Sequence, residues 1–515
     1  MTAQEPGRLS ASGSESADSA ALHALGYAQE LRRRMGGFSN FAVSFTIISI
    51  LSGCLTLYGY GMNTGGPVVM VWGWILVGVM TTVVGLGMAE VCSSYPTAGG
   101  LYYWAAKLAP GRSGPAWSWF TGWFNLLGQV AITAGIDFGF AEFFNAFLDL
   151  TAGWAATPAH TVLIYACVLV AHGLLNSFGV RVVAFLSDVS VWWHLGGVAV
   201  IVICLTAIPA HHSSFGFVFG HFVNNTGFKS GFYVFMIGLL MAQYTFTGYD
   251  ASAHLSEETH NASVAGPRGI VSSILVSLAA GWVLILGITF AIGRNYQGAL
   301  TSATGVPPVQ IFIDAIGRHG GELLLVVAFV AQFYCGMASV TANSRMIYAF
   351  SRDGAVPGSA FWHRINPRTR TPTNSIWFAV VFAFLLGVPY LWSATAYGAI
   401  TSIATIGLYI AYVIPTLLRR LAGDRFQGGP WTLGRWSALV GWLGVAWVVV
   451  ICVLFMLPEV SPVTAKTFNY APIAVAVVLV VAGGWWAASA RKWFTGPRVQ
   501  GTPEELAEIE RQLTI

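Results

Sequence analysis

Long stretches of mostly apolar residues alternate with short polar segments along almost the whole chain. A helix needs about 20 such residues to cross a bilayer, because it rises about 1.5 Å per residue through about 30 Å of hydrocarbon. The 515-residue sequence contains twelve stretches of this kind. The expected spans are residues 39–62, 67–90, 115–146, 160–177, 181–209, 231–255, 269–293, 322–350, 374–391, 394–418, 437–457 and 470–491. The pattern therefore predicts an all-α membrane protein with twelve transmembrane helices.

Two of these spans carry interruptions that a plain membrane helix does not need. Span one contains the sequence SGCLTLYGYG over residues 52–61, and the middle of span six contains TFTG over residues 245–248. Polar and glycine-rich breaks at matching places are typical of carriers that bind a solute near the middle of the bilayer. The alternative is that the glycines only let helices pack closely. We predict that helices 1 and 6 are broken.

The distance between the two interrupted spans also predicts a repeat. Span six comes five spans after span one, and an odd offset reverses the direction of the second copy. This indicates a 5+5 inverted repeat followed by two appended helices. The expected regions are an N-terminal tail with a short amphipathic helix lying at the membrane face (1–37), the first repeat (38–209), the inverted second repeat (231–419), helices 11 and 12 (437–494) and a C-terminal tail (495–515).

The charge content agrees with a membrane protein and predicts its orientation. Charged residues make up only 9% of the chain and the mean hydropathy is +0.66, whereas soluble domains carry about 25% charged residues. With the N-terminus in the cytoplasm, all but four of the 25 Lys and Arg residues fall in cytoplasmic segments; the exceptions are Lys229, Arg294, Arg318 and Lys466. This asymmetry predicts a multi-pass protein of the cytoplasmic (inner) membrane with both termini in the cytoplasm.

Several other classes of protein are disfavoured by what the sequence lacks. It contains no H-E-x-x-H, G-x-S-x-G or GxxxxGK[ST] motif, so we expect neither an enzyme nor an ATP-driven pump, and no catalytic residue, metal or cofactor. The six cysteines lie in or beside apolar stretches and are expected to be buried small hydrophobes. Residues 1–20 lack the apolar core of a cleavable signal peptide. A channel and a non-transporting nutrient sensor are the remaining alternatives to a carrier.

Four segments carry a resemblance to a known family. They are LGYAQELRRRMGGFSNFAVSFTIIS entering span one, AEVCSSYPTAGGLYYWAAKLAP (89–110), TFTGYDASAHLSEETHNASVAGPRGI (245–270) and NSRMIYAFSRDGAVP (343–357). Over about residues 22–495 the chain resembles the amino acid–polyamine–organocation superfamily, in the amino acid/choline branch that includes GABA and choline permeases. The resemblance implies a secondary active transporter that moves a small amino acid or amine such as GABA by alternating access. A choline or polyamine permease of the same fold is the alternative.

The resemblance also implies which residues bind the substrate. In the superfamily the broken span one offers backbone amides to the substrate carboxylate, at positions that match Ser52, Gly53 and Cys54. Phe246 is expected to serve as a gate or as a cation–π platform for a charged nitrogen. The backbone carbonyls expected to face the substrate amine belong to the stretch Tyr244, Thr245, Phe246, Thr247 and Gly248.

Ionisable side chains within the spans are candidates for coupling to an ion. Each costs about 2.5–3.5 kcal/mol on insertion scales and is a functional candidate by default. His194 lies well inside span five, where proton-coupled or sodium-independent members of the superfamily often carry a lysine beside spans one and eight. Because imidazole titrates near neutral pH, the resemblance implies proton coupling at His194, with a packed structural histidine as the alternative. Asp250 is the second candidate; it either attracts an amine or bonds its own helix end.

Further polar residues have more than one interpretation. Asn125 and Gln129 share a face of span three and reach either the substrate cavity or a neighbouring helix. Asp137 and Glu142 are expected to reach the membrane interface. A charged cluster near the cytoplasmic ends of spans six and eight is expected to close the inward gate through ion pairs, or to be solvated loop charge. The cluster consists of Glu257, Glu258, Arg268, Arg345, Arg352 and Asp353.

The expected partners are a small-molecule substrate, the proton as coupling ion and the lipid bilayer. The basic residues lie in short scattered clusters, which does not suggest a nucleic acid partner. Sequence alone therefore indicates a proton-coupled or exchanging permease, with its substrate undetermined among small amino acids and amines.

Overall fold

The computed structural model describes residues 17–178, 180–302, 304–393, 395–465 and 467–512. Arg8 and Lys466 of the charge count, and the outermost parts of both expected tails, lie outside the described residues. Within them the fold is all-helical. The helices that account for the expected spans are α1a (Gly37–Ile48), α1b (Ile50–Thr56), α2 (Trp74–Ser94), α3 (Gly114–Ala152), α4 (Pro158–Ser177), α5 (Val180–Ala207), α6a (Gly231–Thr245), α6b (Ala251–His254), α7 (Ala262–Ala291), α8 (Pro307–Arg352), α9 (Thr373–Gly387), α10 (Thr395–Ala422), α11 (Ser437–Leu454) and α12 (Ala471–Ala488).

Eleven helical segments in the described residues are long and apolar enough to cross a membrane. The expected sixth span is the exception, because its apolar helix α6a is only 15 residues long before the chain leaves the helical conformation. Eleven long segments, the first of them interrupted at Ser49, and the shorter sixth span account for the twelve that the sequence predicts. The fold class is therefore confirmed.

Two expected boundaries differ from the structure for local reasons. Helix α3 runs for 39 residues to Ala152, six residues beyond the expected end. Helix α8 begins at Pro307 rather than at residue 322, and Gly317, with φ 78°, divides it into a short outer piece and the span proper. Apolar length alone identifies the part of a helix inside the hydrocarbon, but not the turns that continue beyond it.

Both described ends of the chain lie on one face of the bundle, which we call the terminal face. The N–H of Gln500 donates to the carbonyl of Gly26 at 2.9 Å, and the N–H of Ala28 donates to the Gln500 side chain at 2.7 Å. The segment after residue 24 is not the membrane-lying amphipathic helix that the sequence suggests. Its apolar side chains Tyr27 and Leu31 are buried against the protein, so this expectation is wrong beyond the helical turns of residues 17–24.

The break in the first span lies at Ser49. This residue has the left-handed conformation, with φ 41° and ψ 79°, and it separates α1a from α1b. Such a conformation costs about 1–2 kcal/mol for a residue with a side chain, so neighbouring interactions have to maintain it. The break comes three residues before the SGC sequence that predicted it.

The break in the sixth span follows Thr245 and ends at Ala251. Gly248 has φ 84° within it, a conformation that favours glycine. The predicted stretch around Thr247 and Gly248 is therefore the interrupted part of this span.

The two breaks lie against each other in the middle of the bundle. A Cβ atom at Gly53 of α1b would overlap the side chain of Thr245, and one at Gly248 would overlap the side chain of Ile47. Around them, α3 packs against both α8 and α10, and α2 packs against α7. The division into repeats at 38–209 and 231–419 stays a prediction.

The contact between Gly248 and Ile47 predicts what a methyl group added at position 248 would do to stability. We expect Gly248→Ala to lower the free energy of unfolding by about 2–4 kcal/mol, since a left-handed alanine and overpacking against Ile47 each cost about 1–3 kcal/mol. Thermal unfolding of the purified protein measures this. Gly196→Ala in α5 is the matched control, because a Cβ there has open space. Equal stability of the two variants would contradict the packing described here.

Candidate functional site

The break in the first span is held by a histidine of the fifth. His194 Nε2 lies 2.7 Å from Ser49 Oγ, and His194 Nδ1 lies 2.8 Å from the carbonyl oxygen of Ser190. Since a carbonyl only accepts, we assign the proton to Nδ1, and the neutral ring then accepts from Ser49 at Nε2. Protonation of His194 reverses this second bond, because Nε2 becomes a donor. His194 is thus hydrogen-bonded to the residue that interrupts α1.

The eighth span holds the other side of the same break. The thiol of Cys335 in α8 donates to the carbonyl oxygen of Ile47 at 3.2 Å. Ile47 lies in the last turn of α1a, where carbonyl groups lose their helical partners. Helices α5 and α8 therefore meet at the interruption in α1.

The amides expected to bind a carboxylate are already engaged. The N–H groups of Ser52 and Gly53 both donate to the carbonyl oxygen of Ser49, at 2.9 and 2.8 Å. Cys54 follows them inside α1b. These three residues form the first turns of a helix rather than unwound backbone. The structure thus does not support the expected carboxylate site at Ser52–Cys54, and the unwound point is Ser49.

The carbonyl groups of the broken sixth span also have partners within the protein. Phe246 O accepts from Tyr409 Oη at 2.6 Å, and Tyr244 O accepts from Thr247 Oγ1 at 2.7 Å. Thr245 O accepts from the N–H of Thr247 at 2.9 Å. A carbonyl oxygen has two lone pairs, so each keeps one acceptor position.

Asp250, at the end of the break, is surrounded by donors from three helices. Its carboxylate accepts from Gln129 of α3 at 2.8 Å and from Tyr412 of α10 at 2.7 Å, and His254 Nε2 lies 3.2 Å away. Asn125 Nδ2 reaches the same ring nitrogen at 3.4 Å. Asn125 and Gln129 are fully buried in this network, which favours interhelical hydrogen bonding over a place on a cavity wall.

His254 contacts both Asp250 and the segment that precedes the third span. Its Nδ1 lies 2.9 Å from the carbonyl oxygen of Ala98, which only accepts, and its Nε2 faces the carboxylate of Asp250. Nδ1 therefore carries a proton. These two contacts tie α6b to the segment before the helix beginning at Leu101.

The side chain of Phe246 packs against the second span. Its ring is fully buried and packs against Trp74 of α2, with ring centroids 4.6 Å apart. A Cβ atom at Gly78 would lie 3.1 Å from its Cζ, so this glycine makes room for the ring. One face of Phe246 is thus covered by another aromatic ring in this conformation.

Asp137 does not reach the membrane interface, and that expectation is wrong. Its side chain is fully buried, with Oδ1 3.0 Å from Nδ1 of His172 in α4. Helix α3 continues for 15 residues after Asp137, about 22 Å along the axis, which leaves this carboxyl group deep in the bundle. Glu142, five residues further along, is half-buried.

Two buried ion pairs lie at the terminal face. The guanidinium of Arg345 bonds Glu258 at 2.6 Å, and Arg352 bonds both oxygens of Glu257 at 3.0 and 3.1 Å. All four side chains are buried, which favours the ion-pair interpretation of the charged cluster. Arg268, in contrast, is exposed at the surface.

The N-terminal segment covers these ion pairs. The guanidinium of Arg352 lies 3.8 Å from the ring centroid of Tyr27. Asp353 accepts hydrogen bonds from Tyr27, from Tyr102 and from the N–H of Arg498. Burial raises the pKa of Asp353 to about 6, although the neighbouring Arg352 acts to lower it. The segments before α1 and after α12 therefore both take part in closing this face.

Several residues of the site were not singled out from the sequence. Ser49, His172, His254 and Tyr412 all make contacts described above. The two histidines lie inside predicted spans, so the cost of an ionisable group in the bilayer is a signal that could have identified them. Ser49 and Tyr412 carry no comparable signal, because serine and tyrosine are common in membrane helices.

Comparisons with known proteins identify relatives of the chain. A family model described as "Amino acid permease" matches residues 35–481. The chain is 46% identical over 492 residues to amino-acid permease BAT1 of Arabidopsis thaliana, covering 92% of this chain and 95% of the relative. It is 44% identical over 495 residues to the BAT1 homolog of Oryza sativa subsp. japonica, with coverages of 93% and 95%. It is 31% identical over 503 residues to a GABA-specific permease of Saccharomyces cerevisiae, with coverages of 95% and 87%.

The buried ion pairs of the terminal face predict a double-mutant result. We expect Arg345→Met to lower the free energy of unfolding by about 3–5 kcal/mol, because it leaves Glu258 buried without its cation. Adding Glu258→Gln should restore most of that loss, as measured by thermal unfolding. Arg268→Met is the control for removing a charge at the surface and should change little. If Arg345→Met alone were as stable as the double variant Arg345→Met with Glu258→Gln, the pairing of Arg345 with Glu258 would be contradicted.

Proposed function

This chain belongs to the amino acid permease family, and we propose that it moves a small amino acid or amine such as GABA across the cytoplasmic membrane by alternating access. Its relatives make it a multi-pass membrane transporter rather than an enzyme. The name of the yeast relative, a GABA-specific permease, is one reason to include GABA among the substrates to test.

The observation that carries this proposal is the contact between two interrupted helices in the middle of the bundle. Unwound backbone at membrane depth is tolerated only where it is packed in protein or lines a cavity. Here Ser49 and Gly248 interrupt α1 and α6, and the pieces on either side touch through Gly53 and Ile47. A carrier needs such a place, because free peptide groups there can bind a solute and release it when the helices part.

We assign the substrate to the space that opens between these two breaks. Its carboxylate would bind near Ser49, where the backbone turns out of the helix. Its amine would use the remaining lone pairs of the carbonyl groups at Tyr244, Thr245 and Phe246. The peptide groups on both sides are neutral, which suits a solute that carries one charge of each sign.

A zwitterion fits the site better than choline or a polyamine. Attraction of a lone cation depends on a free carboxylate and an open aromatic face. Asp250 accepts hydrogen bonds from Gln129 and Tyr412 and faces His254, and Phe246 is packed on Trp74. The two groups that could bind a cationic substrate, the carboxylate of Asp250 and the ring of Phe246, are therefore both in contact with other side chains of the protein.

Proton coupling at His194 is supported by its contact with Ser49. The ring is fully buried and bonds the one residue at which α1 is interrupted. Taking up a proton there changes His194 Nε2 from acceptor to donor and turns the Ser49 hydroxyl. The state of the proton site is thereby linked to the shape of the substrate site.

The proposed orientation has both termini in the cytoplasm. The described ends of the chain share the terminal face through the contact of Gln500 with Gly26 and Ala28. This face also carries Arg345 and Arg352, and the imbalance of Lys and Arg between the two sides favours its placement in the cytoplasm.

Purified protein allows the substrate class to be tested directly. We expect GABA or another small amino acid to raise the unfolding temperature, and choline and spermidine to leave it unchanged. A ligand at about 100 times its Kd stabilises the native state by about 2.7 kcal/mol. The ligand found in this way should show saturable uptake into proteoliposomes, with protein-free liposomes as the control. Binding without uptake would favour a sensor, and uptake that does not saturate would favour a channel.

His194 gives a prediction for pH dependence. We expect His194→Ala to abolish the pH dependence of uptake while substrate exchange continues in part, because the variant keeps the breaks but loses the titrating ring. Uptake measured across a range of external pH in proteoliposomes provides the readout. His319→Ala is the matched control, since His319 is 95% exposed at the start of α8. An unchanged pH profile in His194→Ala would refute the role of this residue.

A further inference from the structure

A second histidine and aspartate face each other deep in the bundle, apart from His194 and from the Asp250 pair. Asp137 of α3 and His172 of α4 are fully buried, and Oδ1 and Nδ1 are 3.0 Å apart. In the described residues no hydrogen bond with acceptable geometry reaches either carboxylate oxygen or either ring nitrogen. Buried polar groups are nearly always hydrogen-bonded, so this pair calls for an explanation.

The Asp250–His254 and Asp137–His172 pairs differ in how many hydrogen bonds their carboxylates accept from the protein. Asp250 accepts hydrogen bonds from Gln129 and Tyr412 besides its contact with His254, so its negative charge is stabilised by several donors. Asp137 has His172 as its single basic neighbour within 4 Å among the described residues. Asp250 is thus held by several donors, whereas Asp137 has one close polar partner with which it can share a proton.

The surroundings of Asp137 are formed by a glycine and an aromatic ring of α8. A Cβ atom at Gly336 would overlap both Asp137 Oδ1 and His172 Cε1. The ring of Phe333, one turn earlier, packs on His172 with centroids 4.5 Å apart. Helix α8 therefore encloses the pair on this side.

The charge of the pair depends on a single proton. With one proton shared between Asp137 and His172, the pair is neutral overall, either as two opposite charges or as two neutral groups. Removing that proton leaves one negative charge in the membrane interior, which costs several kcal/mol without compensation. Loss of the proton is therefore favourable only when water reaches the pair, and a movement of α8, which packs on both residues, would admit it.

The interface between α3 and α8 continues from this pair towards Asp250. Thr133 Oγ1 lies 2.8 Å from Ser339 Oγ, and Asn343 Nδ2 donates to the carbonyl oxygen of Gln129 at 3.1 Å. Gln129 in turn bonds Asp250. A shift of α8 along α3 therefore changes the surroundings of both buried pairs at once.

We propose that Asp137 and His172 form a second proton-binding site, which holds one proton in this closed conformation and exchanges it with water when α8 moves. The inference rests on the proposed transport function and adds a site that is separate from His194. The proton comes from water on one side, makes one O–H or N–H bond within the pair, and leaves to water on the other side.

Other titratable groups face Asp137 from the helices packed around it. The groups that interact with it are Tyr165 of α4, Tyr244 of α6a and Cys335 of α8. Phenols and thiols are neutral near neutral pH, so none of these three competes with the pair for a proton. Glu142 lies five residues further along α3, where its titratable neighbours are Tyr244, Tyr390 and Tyr397.

Infrared spectroscopy of the purified full-length protein tests proton binding without transport. We expect a carboxyl band that changes with pH, disappears in Asp137→Asn and shifts in His172→Gln. Asp314→Asn, an exposed carboxylate on the outer part of α8, is the matched control and should leave the band unchanged. A spectrum of Asp137→Asn identical to that of the unaltered protein would overturn the proposal.

Uptake into proteoliposomes tests the coupling. We expect Asp137→Asn and His172→Gln to bind substrate and exchange it without a proton gradient, but to lose accumulation driven by the gradient. A purely structural pair predicts lower stability with an unchanged pH profile, and that result would overturn the proposal. If Asp137→Asn does not fold, His172→Gln serves as the deciding variant, since it keeps a polar side chain of similar length.

The two proposals fail in different ways. If the unaltered protein takes up no amino acid or amine, the proposed function fails, while the infrared band still reports on the proton site. If uptake is saturable but a proton gradient never drives it, transport stands and the second proton site is overturned.

Discussion

Peptide groups inside a bilayer must be hydrogen-bonded, because lipid offers no water to replace a missing partner. The rest of this structure depends on how that requirement is met at two interrupted helices. Ser49 leaves the helical conformation at the cost of strain, and His194 and Cys335 from α5 and α8 reach the residues at that point. On the other helix, the phenol of Tyr409 bonds the freed carbonyl of Phe246. Each partner comes from a different span, so the breaks also determine which helices must stay together.

The sequence predicted the parts of this arrangement that depend on local composition. Apolar length identified the spans, and the glycine in TFTG identified the break in α6, because only that residue adopts φ 84° without strain. The break in α1 was placed too late, because Gly53 is required by its contact with Thr245 rather than by a turn. The left-handed residue is a serine, which nothing in the local sequence distinguishes.

Contacts between distant residues were the least predictable part. Asp137 was assigned to the interface because α3 was expected to end at residue 146, whereas it continues to Ala152. Its partner His172 lies on another helix, and Asp250 meets Gln129 across 121 residues. Such pairs follow from the relative rotation of helices, which hydropathy does not determine. His194 was identified because an ionisable group in a span is rare, and the same reasoning applies to His172 and His254.

The meeting of the two chain ends has a consequence for how the protein is made. Gly26 and Ala28 precede the first span and are synthesised before it, whereas their partner Gln500 is synthesised only after the last of the twelve spans. Until then Asp353 also lacks the N–H group of Arg498. The last contacts of the terminal face therefore form only after every span has been made. A chain that stops before residue 498 would contain every span and still lack the hydrogen bonds that Arg498 and Gln500 make at this face.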